Sequence, residues 1–440
     1  MKYSQFNSIL EYKDKGFALY NSLTQKVIFL DKELKEILEQ KIEEGIDNLR
    51  LIHPSFYNHL KEHLFLVDND ADEVGKVREI SQKIDQNPHL FILTINPTMN
   101  CNFKCWYCYE THVRGSRLDE QTSSSIKLFI TQTANNPELR QFNLSFFGGE
   151  PLMYFKKDVQ PIIDHFLSST ESRRLINHIS FTTNGYLVTN ELIDYFKKLN
   201  ICPSFQITFD GYKDDHDETR YQTKSKGSYD VIVKNTKKLL ENNFLVRARI
   251  NYTDKNIHNC FKITDDFMDI PQKTKDNNLI FDFHRVWQND SLDDTSDVMK
   301  KNAAIMRKKG FKTSVKYSPN NVLESCYADK LNSVVINYNG NLYKCTARDF
   351  LPENRVGYLS EEGKLVWNEG YLEKRMNIKF HNKLCLTCKI MPLCNGGCSQ
   401  HALDHSESGK DYCVFFANRG EITRIIQTKI EEIIEATSEK

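Results

Sequence analysis

Apolar and polar positions alternate in short blocks from about residue 90 to residue 287. Short apolar runs predict strands, and the amphipathic stretches between them, such as Asp119–Thr133, Glu191–Leu199 and Ser228–Glu241, predict helices. A repeated strand–helix order indicates a parallel sheet, here a partial (β/α)6 barrel with its chemistry at the C-terminal ends of the strands. The predicted strands are Leu90–Asn96, Gln141–Phe147, His178–Thr183, Ser204–Phe209, Leu245–Tyr252 and Leu279–Trp287.

The first part of the chain has a different pattern, typical of a small α+β domain. Alternating positions over residues 7–29 predict a hairpin that turns near Asn21 and Ser22. Asp31 is a suitable N-cap for a helix that continues to about Glu44. A second helix over His53–His63 and a short strand over Leu64–Val67 are expected to follow.

The last part of the chain, from about residue 310 to 413, shows little periodicity and is rich in cysteine. After it, Arg419 to about Ala436 carries isoleucines at helical spacing, which predicts a helix with one packed face.

Composition narrows the class of protein. The 440 residues carry 59 basic and 59 acidic side chains, so the basic excess typical of nucleic-acid or membrane-surface binding is absent. We find no apolar run long enough to span a membrane and no apolar segment of a signal peptide near the N-terminus, and we therefore expect a cytoplasmic protein. In that compartment the 12 cysteines are expected to be metal ligands rather than disulfides.

Three cysteines directly follow the first predicted strand of the barrel: Cys101, Cys105 and Cys108. Three thiolates at C-x3-C-x2-C spacing can ligate three irons of a four-iron cluster and leave the fourth iron open to a small molecule. A zinc site is the alternative, and it would need a fourth ligand, for which His112 is the nearest downstream candidate.

The cysteine spacing, with Tyr107 before the last cysteine, resembles the signature of the radical S-adenosylmethionine (radical SAM) superfamily. In that family the open iron binds SAM, and the reduced cluster cleaves SAM to a 5′-deoxyadenosyl radical. Motifs at the ends of later strands support the resemblance, namely a Gly-Gly-Glu turn, a Thr-Asn-Gly turn and an Asp-Gly…His-Asp…Arg stretch. The resemblance implies SAM contacts from Tyr107, Gly148, Gly149, Glu150, Thr183, Asn184, Gln206, Asp210, and Arg220 or Arg249. Which arginine meets the SAM carboxylate stays open at this point, since either could instead form a structural pair with an aspartate, for instance with Asp217.

The cysteines near the C-terminus resemble the SPASM domain, which follows the radical SAM barrel in many peptide maturases. The resemblance implies two auxiliary [4Fe-4S] clusters, and so three in total. One would be ligated by Cys385, Cys388, Cys394 and Cys413. The other would have only Cys326, Cys345 and Cys398, so that one iron is open to substrate or is closed by water, Asp349 or Cys260. Cys202 and Cys260 are left as plain thiols, and a zinc ribbon is the alternative for the whole array.

These resemblances predict three domains: residues 1–88, 89–309 and 310–440. The first resembles a winged-helix-like peptide-recognition element, although an unrelated α+β lid would have a similar pattern. The expected enzyme is related to sactisynthases and to ranthipeptide and cyclophane synthases. It would abstract hydrogen from a ribosomal precursor peptide to install a thioether, carbon–carbon or carbon–oxygen crosslink. Residues 1–86 would bind the peptide leader, and a flavodoxin or ferredoxin would donate electrons.

Two alternatives remain. One is an anaerobic sulfatase-maturating enzyme that makes formylglycine. In those relatives an Asp directly follows the cysteine equivalent to Cys345, whereas Thr346 stands there in this chain. The other is a binding protein that joins a recognition module to a zinc ribbon.

Overall fold

The computed structural model describes residues 1–12, 15–223, 226–289, 295–315, 321–406, 409, 412–415 and 418–438. The strands, in chain order, are β1 (Lys2–Tyr3), β2 (Asn7–Glu11), β3 (Phe17–Asn21), β4 (Lys26–Leu30), β5 (Leu66–Val67), β6 (Leu90–Asn96), β7 (Gln141–Phe146), β8 (Ile176–Thr183), β9 (Ser204–Phe209), β10 (Tyr221–Thr223), β11 (Lys226–Gly227), β12 (Leu245–Tyr252), β13 (Leu279–Arg285), β14 (Lys312–Val315), β15 (Ser333–Asn337), β16 (Asn341–Tyr343), β17 (Gly357–Leu359) and β18 (Leu365–Trp367).

The helices, in chain order, are α1 (Lys32–Glu44), α2 (Leu49–Ile52), α3 (Pro54–Glu62), α4 (Glu73–Asp85), α5 (Glu120–Ala134), α6 (Gln160–Ser172), α7 (Asn190–Lys198), α8 (Lys213–Thr219), α9 (Tyr229–Glu241), α10 (Gln272–Asn278), α11 (Ser296–Lys308), α12 (Tyr371–Asn377), α13 (Lys383–Leu386), α14 (Met391–Cys394), α15 (Ser399–Ser406) and α16 (Arg419–Ser438). Among the described residues, none of these helices combines the length and the apolar character that crossing a bilayer requires.

The chain forms two compact units. The terminal unit contains residues 1–87, 317–331 and 370–440, and the barrel unit contains residues 88–316 and 332–369. Segments far apart in sequence therefore share one unit. The division into domains at residues 88 and 309 stays a prediction.

The barrel unit is built on one twisted sheet. In the described residues its strand order is β14-β13-β12-β9-β8-β7-β6-β15-β16-β17-β18. The neighbours from β6 to β14 pair in parallel, as the strand–helix alternation predicts. Side-chain caps start two of the helices between strands, with Asp119 accepting from Thr122 N and Thr189 from Leu192 N.

The sheet extends beyond the predicted barrel. β15 pairs in parallel with β6, and β16, β17 and β18 continue in antiparallel order. The sequence pattern showed little periodicity here because these strands are short and β15 is buried along its whole length, so no alternation is visible.

The terminal unit starts with a three-stranded antiparallel sheet, β2-β3-β4. The sequence predicted a two-stranded hairpin over residues 7–29, but the structure has three strands there. The turn after Asn21 exists, and residues 7–11 and 17–21 form two separate strands before it. Asp31 caps α1 as predicted, by accepting from Leu34 N. The helix α4 was not predicted.

The central strand β3 is buried on both faces. Leu19 packs with Leu38 and Leu60 in the core of the N-terminal helices. On the other face, Ala18 and Tyr20 pack with residues of the cysteine-rich segment and of α16, whose Ile425, Ile426 and Ile430 are buried. The predicted packed face of the C-terminal helix is thus confirmed, and the surface it covers is the N-terminal sheet.

Candidate active site and cysteine centres

The cysteine triad lies in a loop that leaves the C-terminal end of β6. Cys108 N donates to Cys105 O at 3.1 Å, and Phe103 N donates to the Cys101 sulfur at 3.4 Å. Burial raises the pKa of Cys101 and of Cys108 to about 12, and the charge of the neighbouring Cys105 thiol adds to this. All three cysteines line one cavity, as ligands of a single metal centre must.

The Gly-Gly-Glu turn after β7 packs against this loop. Gly148 has φ +77° and Gly149 has φ +21°, and a Cβ on Gly149 would lie 2.2 Å from the Asn100 carbonyl oxygen. Only glycine fits this close approach of two backbones.

Glu150 joins two turns of the site. Its buried carboxylate accepts from Thr183 Oγ1 at 2.7 Å, Asn184 N at 2.8 Å and Leu152 N at 2.9 Å. These bonds connect the Gly-Gly-Glu turn to the Thr-Asn-Gly turn at the end of β8. The structure therefore gives Glu150 a positioning role, and its predicted contact with SAM stays a prediction.

Tyr107 is the centre of a buried hydrogen-bond network. Its hydroxyl donates to Asp210 Oδ2 at 2.8 Å and accepts from Arg220 Nη1 at 2.9 Å and Asn251 Nδ2 at 3.0 Å. Burial and the Asp210 carboxylate raise the pKa of Tyr107, so the hydroxyl stays protonated. The network ties the triad loop to β12 and to the segments that follow β9 and α8.

Arg220 pairs with Asp210, at 3.3 Å, and not with Asp217. Asp217 instead accepts from the backbone N–H groups of Ser228 and Tyr229 at the start of α9. Among the described residues, the buried Nε of Arg220 has no hydrogen-bond partner. A buried donor of this kind calls for an acceptor, and a carboxylate suits a guanidinium best.

Two adjoining cavities lie at this end of the sheet. One, of about 130 Å³, is lined by the triad, the two glycines, Thr183, Asn184 and Arg220. The other, of about 140 Å³, is lined by Gln206, Arg249 and Asn251 among others, and it shares Tyr107 and Arg220 with the first. Asp210 lines a third cavity, of about 280 Å³. Of the ten predicted SAM contacts, only Glu150 lines none of these three cavities.

The two arginines occupy different positions along this space. Arg220 borders both cavities and lies beside the cysteines, whereas Arg249 borders only the second. The Arg249 Nε already donates to Asn251 Oδ1 at 2.9 Å. The first cavity is lined by three thiols and by a guanidinium whose Nε has no partner in the described structure, and it therefore fits a cluster and a carboxylate-bearing ligand.

Sequence reasoning missed two groups beside the triad. Glu110 lines the first cavity, and burial raises its pKa to about 8, although the Gly149 N–H that it accepts opposes this shift. His112, considered only as a zinc ligand, has its Nε2 3.5 Å from the Cys108 sulfur. Glu110 and His112 follow the third cysteine, Cys108, by two and four residues, and this closeness in sequence could have indicated both side chains.

Four of the C-terminal cysteines converge within the terminal unit. Burial raises the pKa of Cys394 to about 12, and the charges of the Cys385, Cys388 and Cys413 thiols raise it further. Cys388 N donates to Cys385 O at 3.1 Å in the turn between the first two. Four convergent thiols are a ligand set for a four-iron cluster or for zinc.

The other three predicted auxiliary ligands are divided between the units. Cys326 and Cys398 belong to the terminal unit, and Cys345 follows β16 in the barrel unit. Of the alternative ligands, Asp349 already accepts from Thr111 N and Oγ1 at 2.9 and 2.5 Å, and Cys260 is fully buried. That the three cysteines share a cluster stays a prediction.

Comparison with known proteins supports the assignment of the barrel. Residues 95–254 match the model of the Radical SAM superfamily. The chain is 26% identical, over 72% of its length and 89% of the relative, to a cysteine-type anaerobic sulfatase-maturating enzyme of Clostridium novyi (strain NT). It is 24% identical, over 54% of each chain, to the radical SAM cyclopropyl synthase TigE of Paramaledivibacter caminithermalis.

A solved structure shares the fold over most of the chain. The crystal structure of Streptococcus suis SuiB bound to its precursor peptide SuiA is 18% identical, with a TM-score of 0.52, and the match covers 90% of this chain and 95% of SuiB. SuiB has also been solved bound to S-adenosylmethionine. With the triad at the end of β6 and the family match over residues 95–254, the chain contains a radical SAM domain.

Proposed function

We propose that this enzyme abstracts hydrogen from a ribosomally synthesised precursor peptide and installs a thioether, carbon–carbon or carbon–oxygen crosslink. The observation that carries the proposal is the first cavity, where three thiols, a glycine turn and the buried Arg220 meet, the Nε of Arg220 being without a partner in the described structure. Peptide substrates are supported by the relatives, since SuiB binds the precursor peptide SuiA.

The radical SAM domain implies a [4Fe-4S] cluster and SAM. When bound, they would supply the 5′-deoxyadenosyl radical that abstracts the hydrogen. Cys101, Cys105 and Cys108 would hold the cluster. The Gly148–Gly149 backbone would meet the SAM amino group, and Thr183, Asn184 and Gln206 the ribose.

Arg220 is the better of the two candidates for the SAM carboxylate. It borders the triad, and its buried Nε has no partner in the described structure. The Arg249 Nε is already used by Asn251, which lies on the same strand. Tyr107 would then position Arg220 as well as border the adenine, because the Tyr107 hydroxyl accepts from Arg220 Nη1.

The C-terminal cysteines would hold two auxiliary clusters that accept the second electron. Cys385, Cys388, Cys394 and Cys413 would ligate one of them fully. Cys326, Cys345 and Cys398 would leave one iron of the other open. A substrate cysteine bound there would arrive as thiolate, which favours a thioether product.

Residues 1–86 would bind the peptide leader as an added strand. In the described structure β4 pairs only with β3, so the outer edge of β4 offers backbone donors and acceptors. Strand addition draws affinity from those backbone groups and selectivity from side-chain pockets. A flavodoxin or ferredoxin is the expected electron donor.

The sulfatase-maturating reaction is a second candidate, supported by the relative from Clostridium novyi. The residue after Cys345 argues against it. Thr346 stands where those enzymes have an aspartate that serves as the base. The backbone carbonyl of Thr346 accepts from the Tyr109 hydroxyl at 2.7 Å. Asp349, three residues later, is held by Thr111.

The test starts from anaerobically reconstituted enzyme. We expect roughly 12 irons per chain, from three four-iron clusters. Replacement of all three triad cysteines by Ala should remove about a third of the iron and abolish SAM cleavage. Continued cleavage by that triple variant would refute the role of the triad.

Product analysis then separates the two candidates. Mass spectrometry of a precursor peptide should show loss of two hydrogens for each crosslink, whereas formylglycine formation removes two hydrogens and also replaces the cysteine sulfur with oxygen. Deletion of residues 1–86 should leave uncoupled SAM cleavage intact and weaken modification of the full-length peptide. Equal turnover by the truncated enzyme would contradict leader binding.

A further inference from the structure

His112 lies beside one of the triad sulfurs. The distance from its Nε2 to the Cys108 sulfur is 3.5 Å, within hydrogen-bonding range for sulfur. Both neighbours of His112 in the chain are anchored: Thr111 donates to Asp349 with its N and Oγ1, and Val113 N donates to Met99 O at 3.1 Å. The imidazole is therefore presented to Cys108 by a loop that is fixed on both sides.

The direction of this hydrogen bond follows from the partner. A sulfur that ligates iron is a thiolate, which has no proton and can only accept. The Nε2 of His112 must then carry the proton and donate it. Hydrogen bonds to the sulfurs of an iron–sulfur cluster are among the determinants of its reduction potential, because they stabilise the more negatively charged reduced state.

We propose that His112 donates a hydrogen bond from Nε2 to the Cys108 thiolate and thereby raises the reduction potential of the triad cluster. The inference rests on the proposed cluster. His112 is a positioning and tuning residue in this proposal. His112 also lines the first cavity, and its proposed effect on the cluster acts through the Cys108 sulfur.

Direct metal ligation is the competing arrangement. The ligand atoms of Cys108, Glu110 and His112 lie within 4.8 Å of one another, a mixed donor set that could hold a single cation such as zinc. A histidine that ligates a metal and a histidine that donates to a thiolate differ in what their loss removes. Loss of a ligand removes metal, and loss of a donor moves the potential at constant iron.

The experiment compares four forms of full-length reconstituted enzyme: the wild type, His112→Phe, His112→Gln and His258→Phe. Phenylalanine keeps a ring at position 112 without a donor, and glutamine keeps an N–H at similar reach. His258 is exposed in the same unit and serves as the control. The potential is measured by an EPR-monitored redox titration of the signal that changes when SAM is added, which separates this cluster from the auxiliary ones.

We expect His112→Phe to shift the potential to more negative values, His112→Gln to restore most of the shift, and His258→Phe to have no effect. Iron content and SAM affinity should be equal in all four forms. An unchanged reduction potential in His112→Phe would overturn the inference but leave the proposed function standing. So would loss of iron from that variant, or one zinc per chain in the wild type that the variant lacks. A wild type without any SAM-responsive cluster would overturn the proposed function and the inference together.

Discussion

Replacement of Lys379 by Met should destabilise the terminal unit strongly. The Lys379 ammonium lies 2.8 Å from both Asp85 Oδ2 and Asp329 Oδ2, and its side chain is only 7% exposed. Both carboxylates are also buried, with side-chain exposures of 7% and 4%. Methionine fills a similar volume but leaves the two carboxylates without the lysine that bridges them.

Removal of one member of a buried ion pair costs about 3–5 kcal/mol, because the remaining charge stays desolvated. For a unit of this size each kcal/mol lowers the midpoint of thermal unfolding by roughly 2–4 °C, so a drop of roughly 6–20 °C is expected. Differential scanning calorimetry of the apo-enzyme measures it.

Two controls test the electrostatic reasoning. Lys83→Met removes an exposed lysine that pairs with Glu79 on α4, and it should cost at most about 1 kcal/mol. Adding Asp85→Asn to Lys379→Met removes one of the two buried carboxylates that have lost Lys379, so the double variant should be more stable than Lys379→Met alone. A loss below about 1 kcal/mol in Lys379→Met would refute the reasoning.

The ion pairs of Lys379 with Asp85 and Asp329 are also connected to two of the cysteines that are proposed to ligate an auxiliary cluster. Ser325, which precedes Cys326, donates to Asp85, and Ser399, which follows Cys398, donates to Asp329. Lys379→Met should therefore also lower the iron content of the proposed auxiliary clusters and leave the triad cluster loaded.

Three further predictions concern the barrel unit. Gly149→Ala should abolish SAM binding, measured by equilibrium dialysis, because its Cβ would meet the Asn100 carbonyl at 2.2 Å; unaltered affinity would exclude that close approach. Arg220→Lys should weaken SAM binding about 10- to 100-fold, since a charge-assisted hydrogen bond is lost; an equal affinity would show that Arg220 does not meet the carboxylate. The third prediction concerns Asp282. Burial by itself raises the pKa of its carboxyl, but the hydrogen bond from His284 is among the interactions that together outweigh burial and lower the pKa to about 2. The stability that Asp282 contributes should therefore be complete above pH about 4 and be lost as the pH falls towards about 2. Acid titration of unfolding should show this loss in the wild type but not in Asp282→Asn.

The sequence by itself was sufficient for six strands of the barrel sheet, although it did not predict β14. β6, β9 and β12 begin and end where the apolar runs predict, and α16 buries the isoleucines that its spacing marks. Such features depend on residues close in the chain, since one face of each helix or strand must be apolar to be buried. The triad was equally visible, because three ligands of one cluster can come from a single loop.

Only the tertiary structure decided which distant segments meet. β15 joins the barrel sheet through pairing with β6, more than 200 residues earlier. β3 is buried between its own helices and α16, a contact that no local pattern encodes. These pairings depend on the fit of surfaces from separate parts of the chain, on which periodicity carries no information.

The same holds within the site. The sequence showed that Glu150, Arg220 and His112 lie near motifs, but not what their polar atoms contact. The structure directs the Glu150 carboxylate into a neighbouring turn, pairs Arg220 with Asp210, and places His112 against Cys108. A side chain's partner is set by which strand ends converge at one edge of the sheet, so its role could be assigned only after the strands were paired.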